Sequence, residues 1–150
     1  MVSRDKCSRT FAPRRVDNIP SGLIVFDGVC VLCSGWVQFI IARDANAQFR
    51  FASIQGPSGA AIARDLGIDP ENPATNVVVL DGIAYFKSDS ALAALSRLPN
   101  WRWTRVLKVF PRVLRDWCYD RIARNRYRLF GKAETCFVPT PEQRARFVDL

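Results

Sequence analysis

The 150-residue chain is 49% hydrophobic and 24% charged, an ordinary balance for a globular protein and enough chain for one domain with a real core. It has no histidine, which excludes Ser-His-Asp and Cys-His hydrolases and histidine metal centres, so any chemistry must run on Cys, Asp, Glu, Lys, Arg or Tyr. The net charge of +8 is uneven: residues 102–132 hold ten basic against two acidic side chains, whereas residues 23–101 hold five basic against seven acidic.

Residues 1–22 form a basic arm bearing Arg4, Lys6, Arg9, Arg14 and Arg15, without the apolar centre of a secretory signal, and read as a flexible, solvated extension or, less simply, as an Arg- and Ser-bearing organellar transit peptide. A β-favouring run, Leu23 to Phe26, then meets the turn pair Asp27-Gly28. Beyond it Trp36, Val37, Phe39, Ile40 and Ile41 mark the apolar face of a helix reaching about Asp44. Gln48 to Ile54 alternates as a second strand, ended by Gly56, Pro57 and Gly59, and Ala60 to Leu66 reads as a second helix stopped by Gly67. A polar loop leads to a hairpin of Asn76–Leu80 and Ile83–Phe86 around Asp81-Gly82, the favoured pair for a type I′ turn. Ser88 to Ser90 can cap a third helix, Ala91 to Leu98, which stops at Pro99.

The predicted order β-α-β-α-β-β-α is that of a thioredoxin-like α/β domain over residues 23–98. Residues 99–150 form a Trp- and Arg-rich helical appendage, expected to pack on that core. Its apolar stripes are Trp103, Val106, Leu107 and Phe110, then Val113, Leu114, Trp117, Cys118 and Ile122, with Pro111 restarting the helix between them. No apolar run reaches the roughly 18 residues needed to cross a bilayer.

Chemistry concentrates at Cys30-Val31-Leu32-Cys33, a CxxC at a strand-to-helix junction. Free N–H groups and the positive end of the helix dipole favour a thiolate at Cys30, below the free thiol value of about 8.5. The competing reading makes both cysteines small buried hydrophobes. A zinc site is not expected, since Cys7, Cys118 and Cys136 are scattered and no second CxxC exists. An odd total of five cysteines without a dense framework suits a reducing cytoplasm, where the pair would cycle. A haloacid-dehalogenase-like phosphatase would need a second Asp where Val29 stands.

Asp27-Gly28-Val29-Cys30-Val31-Leu32-Cys33, together with Tyr119 to Gly131 followed by Cys136 and Pro139, resembles the two signatures of the DCC family of predicted thiol-disulfide oxidoreductases over roughly residues 23–150. The resemblance implies a small thioredoxin-like oxidoreductase. One departure is that the thioredoxin cis-proline position before the third strand holds no proline; the nearest, Pro73, is separated from Val77 by Ala74, Thr75 and Asn76.

The expected catalytic residues are therefore Cys30 as nucleophile, Cys33 as resolving thiol and Asp27 as proton acceptor or, equally, as a turn and capping residue. A Lys or Arg of the appendage could support the thiolate. Cys30 should be the more exposed of the pair, Cys118 buried and inert, and Cys136 structural or an auxiliary thiol. The expected partner is a disulfide-containing protein or small thiol, with an unknown reductant, no metal and no cofactor. The alternative is a redox-inert basic module that binds nucleic acid or an acidic partner through Arg102–Lys132; nucleic acid is not expected, because no binding motif accompanies the charge.

Overall fold

The computed structural model describes residues 13–71, 73, 75–131 and 139–148. Six strands and five α-helices follow in chain order: β1 (Arg14–Arg15), β2 (Leu23–Phe26), α1 (Val31–Arg43), β3 (Arg50–Ser53), α2 (Pro57–Asp65), β4 (Val77–Leu80), β5 (Ile83–Phe86), α3 (Lys87–Ser96), α4 (Arg112–Arg124), α5 (Arg126–Leu129) and β6 (Phe147–Val148). A 3₁₀ helix, Arg102–Val109, joins α3 to α4.

The sheet order is β1-β5-β4-β2-β3-β6. β2 runs parallel to β3 and antiparallel to β4, and β4 pairs antiparallel with β5. The central four strands and their helices are a thioredoxin-like α/β fold, with a short strand added at each edge. Arg14–Arg15 of the N-terminal arm supply one edge by pairing with Ile83 and Ala84, and β6 supplies the other, parallel to β3.

β2 is apolar at every position because both faces of the central strand are covered. Leu23 and Val25 point into a core with Ala63, Leu66, Val77 and Val79 beneath α2. Ile24 and Phe26 point the other way, among Val37, Ile40, Phe51, Ala94 and Leu98 beneath α1 and α3. This double burial fixes the end of β2, and with it the start of α1.

The expected elements are present with shifted ends. α2 begins at Pro57, in the first helical turn where its missing N–H costs nothing, not at Ala60. Its Gly59 lies flat on β3: a Cβ there would come within 2.0 Å of the Ser53 carbonyl oxygen. The hairpin turn has positive φ at both Asp81 (52°) and Gly82 (78°), as a type I′ turn requires. α3 starts at Lys87 without a side-chain cap, so Ser88–Ser90 lie inside its first turn; the Ser88 hydroxyl instead bonds the Asp116 carboxylate.

The larger correction concerns the appendage. Trp103, Val106, Phe110, Val113, Leu114, Trp117 and Ile122, expected to be core, are all exposed, and so is Cys118. α4 turns its polar side inward instead. Arg115 pairs with Asp89 (2.8 Å), Asp120 with Lys87 (2.9 Å), Asp116 with Ser88, and the Tyr119 hydroxyl accepts from the Asn76 N–H (3.1 Å). Periodicity shows that a helix has an apolar side; these pairings decide which side faces the domain. No helix among the described residues is long and apolar enough to cross a membrane.

Candidate functional site

The turn after β2 is held by its own carboxylate. Asp27 Oδ1 accepts from the Val29 N–H (3.2 Å) and from Gln55 Nε2 (2.8 Å), while the Gly28 N–H donates to Gln55 Oε1 (2.8 Å). The Asp27 carbonyl accepts from the Cys30 N–H (3.3 Å), which places Cys30 as the N-cap of α1. Its sulfur accepts the Cys33 N–H at 3.3 Å, so a thiolate here satisfies one of the free amides of the first helical turn.

Both cysteines are free thiols. The hydrogen bond between them divides their acidities. Cys30, receiving the Cys33 thiol and amide hydrogens, is lowered from the ordinary 9.0 to about 7 against the opposing effect of burial, with a further contribution from the Arg126 guanidinium. Cys33 is pushed far up, first by donating to Cys30 and then by burial. The pair thus holds one sulfur ready to ionise and one that keeps its proton.

Cys30 is not the more exposed thiol: it is 0% exposed and Cys33 7%. The Cys30 sulfur folds back onto the Cys33 amide, and Gly131 crosses the helix N-terminus, its carbonyl accepting from the Val31 N–H (3.4 Å). Cys33 instead lines a cavity of about 330 Å³ with Asp27, Trp36, Pro73, Tyr119 and Arg126. Thr75 and Asn76, just before β4, also face this cavity. Burial raises the Tyr119 hydroxyl to about 12, so it stays protonated.

The C-terminal segment completes the site with residues whose roles sequence reasoning did not assign. Arg126, only 8% exposed, reaches Asp27 Oδ2 (3.5 Å), the Pro73 carbonyl (3.0 Å) and the Ala123 carbonyl (2.8 Å). The Tyr127 hydroxyl donates to the same Asp27 oxygen; burial first, and then this bond, raises the hydroxyl's pKa. Arg126 is the appendage cation that composition suggested without naming. Both it and Tyr127 lie in the Tyr119–Gly131 block that resembles the family signature, so the resemblance marked them. Cys7 and Cys136 lie outside the described residues.

Asp27, Cys30 and Cys33 therefore converge with Arg126, Tyr127 and Gln55 at one end of the central strand. Residues 24–132 match the family described as DCC1-like thiol-disulfide oxidoreductase. The chain is 37% identical over 133 residues to the uncharacterized protein YuxK of Bacillus subtilis, covering 88% of this chain and 97% of that one. It is 33% identical over 116 residues to a DCC family protein of Arabidopsis thaliana named as chloroplastic, covering 76% and 67% of the two chains. No solved structure is significantly similar. The matched span, the two relatives and the thiol pair at the strand end agree, and the chain belongs to the DCC1-like thiol-disulfide oxidoreductase family.

Proposed function

We propose that the protein reduces or exchanges disulfides through Cys30 and Cys33, acting on a disulfide-containing protein or small disulfide in a reducing compartment such as the cytoplasm. The observation that carries this reading is the unequal pair: Cys30 lowered to about 7 beside a Cys33 that holds its proton. With the Gly131 segment displaced from the start of α1, which uncovers the buried sulfur, the Cys30 thiolate attacks one sulfur of the substrate disulfide, forming a mixed disulfide and releasing the other sulfur as a thiolate that takes up a proton. Cys33 then loses its proton and attacks Cys30, freeing the second substrate thiol and leaving a Cys30–Cys33 disulfide. The substrate gains two electrons and the protein dithiol loses them; a dithiol reductant restores the pair.

Asp27 is the proposed acceptor of the Cys33 proton, a reading supported by the two side chains lining the same cavity and by a sequence without histidine. Arg126 is a positioning residue that holds Asp27 and favours the Cys30 thiolate. The test is insulin-disulfide reduction with dithiothreitol as electron donor. Cys30→Ser is expected to abolish it, and Cys33→Ser, mixed with insulin without added dithiol, to accumulate mixed disulfides seen by mass spectrometry. Trapped adducts on Cys30→Ser but not on Cys33→Ser would reverse the assignment, and unchanged activity in both would make the pair structural.

A further inference from the structure

The 3₁₀ helix Arg102–Val109 repeats every three residues, which sorts its side chains into three rows. Thr104 and Leu107 turn inward, Thr104 being buried. Arg102, Arg105 and Lys108 form a second row lining a cavity of about 350 Å³ with Arg97, Tyr85 and Ser96. Trp103, Val106 and Val109 form the third row and are exposed at 58%, 61% and 84%.

The cavity's carboxylate, Asp89, is occupied by Arg112 and Arg115, both at 2.8 Å, so it does not neutralise the row of cations. Among the described residues, Arg102, Arg105 and Lys108 have no hydrogen bond or ion pair from their side chains. α4 continues the arrangement: its acidic residues Asp116 and Asp120 face α3, while Val113, Leu114, Trp117, Arg121 and Arg124 face outward. The outer surface of residues 102–124 is thus apolar and cationic with no outward carboxylate.

From this we infer that residues 102–124 dock the protein on an anionic lipid bilayer, with lipid phosphate in the cavity of Arg102, Arg105 and Lys108 and the row of Trp103, Val106 and Val109 entering the interfacial region. Aromatic and aliphatic side chains beside cations are the side-chain pattern of interfacial binding. A second copy of the chain would oppose two like-charged faces. A nucleic acid would use the cations and tryptophans but gain nothing from Val106, Val109, Val113 and Leu114, which cannot stack on bases. Ile122 belongs both to the outward side of α4 and to the lining of the Cys33 cavity, so docking sets the thiol pair beside the bilayer.

The experiment is sedimentation of the full chain with phosphatidylcholine vesicles with or without roughly a quarter phosphatidylglycerol. Binding to the anionic vesicles alone, weakening with salt, is expected. Trp103→Ser with Val106→Ser, and separately Arg102→Gln with Arg105→Gln, should each weaken it by about tenfold or more while melting temperature and insulin reduction stay unchanged. Four outcomes overturn the inference: no binding to anionic vesicles; equal binding to neutral ones; inorganic phosphate bound as tightly as the vesicles, which makes the cavity a site for a free anion; or a dimer, or a duplex-DNA complex in place of vesicle binding, abolished by the Trp103 and Val106 pair of changes. Loss of insulin reduction in the Cys30 variant leaves vesicle binding intact, so the two readings fail separately.

Discussion

The division of acidity between the two thiols rests chiefly on the hydrogen bond from Cys33 to Cys30, and Cys33→Ala removes its donor while leaving the backbone amide and Arg126 in place. Moving Cys30 from 9.0 to about 7 corresponds to roughly 3 kcal/mol in favour of its thiolate. Because the thiol bond is the largest contribution, its loss should raise the titration midpoint of Cys30 by about one pH unit or more, leaving burial and Asp27 opposed by the surviving amide and guanidinium. The assay is thiolate ultraviolet absorbance against pH in a chain whose Cys7, Cys118 and Cys136 are serine. With Cys33 present, ionisation should begin near pH 7; in Cys33→Ala it should be displaced toward 9.0. The stability consequence follows the same sign. A thiol whose folded pKa is lowered contributes stability that is fully present above the unfolded value and lost as pH falls through the folded one, so the Cys30 contribution fades between about pH 9 and pH 7. A midpoint near 9.0 with Cys33 present, or one that Cys33→Ala leaves unmoved, would refute the reasoning.

Arg126→Gln removes a cation that favours the Cys30 thiolate less strongly than Cys33 does, so the Cys30 midpoint should rise by less than in Cys33→Ala; a fall would show that the guanidinium acts otherwise. Asp44→Ala should cost about 3 kcal/mol or more in urea unfolding, because the buried carboxylate accepts from the Gln48 and Phe49 amides (3.0 and 2.9 Å) and from Arg146; a loss below about 0.5 kcal/mol would contradict that account.

The part of the site that sequence made legible is the part built from local chain. An apolar run, Asp27-Gly28 and two cysteines three apart define a strand, a turn and a helix start with no help from distant residues, and the hairpin at Asp81-Gly82 is equally self-contained. Two-residue edge strands such as β1 and β6 leave too short a pattern to read, since their pairing is decided by the strands already present. The start of α2 is ambiguous in the sequence because Pro57 suits both the end of a strand and the first turn of a helix. The appendage failed for a different reason. Its apolar stripes are real, but Asp89, Lys87 and Ser88 of α3 offer charged and polar partners, and α4 meets them with Arg115, Asp120 and Asp116. Cys118 follows the outward side. The position of Cys30 at the start of α1 predicts the more exposed thiol, but the chain at Gly131, far along the sequence, closes over it.

The bond between Tyr127 and Asp27 spans 100 residues, and that separation gives the reactivity of the thiols an order in time. Contacts so distant along the chain form late, after the local strand-turn-helix unit can already exist. During synthesis the CxxC segment emerges well before Arg126 and Tyr127, so a young chain carries the cysteines without the guanidinium that favours the Cys30 thiolate. Its Cys30 then lacks both that contribution to its acidity and the cover of Gly131. Pulsed alkylation of ribosome-bound chains with residues 126–131 still inside the exit tunnel, or extruded from it by a C-terminal extension, would register the docking of that segment as a change in Cys30 reactivity. The C-terminal segment thereby completes the surroundings of the pair last, adding the Arg126 guanidinium and the cover of Gly131 to thiols whose own hydrogen bond is local.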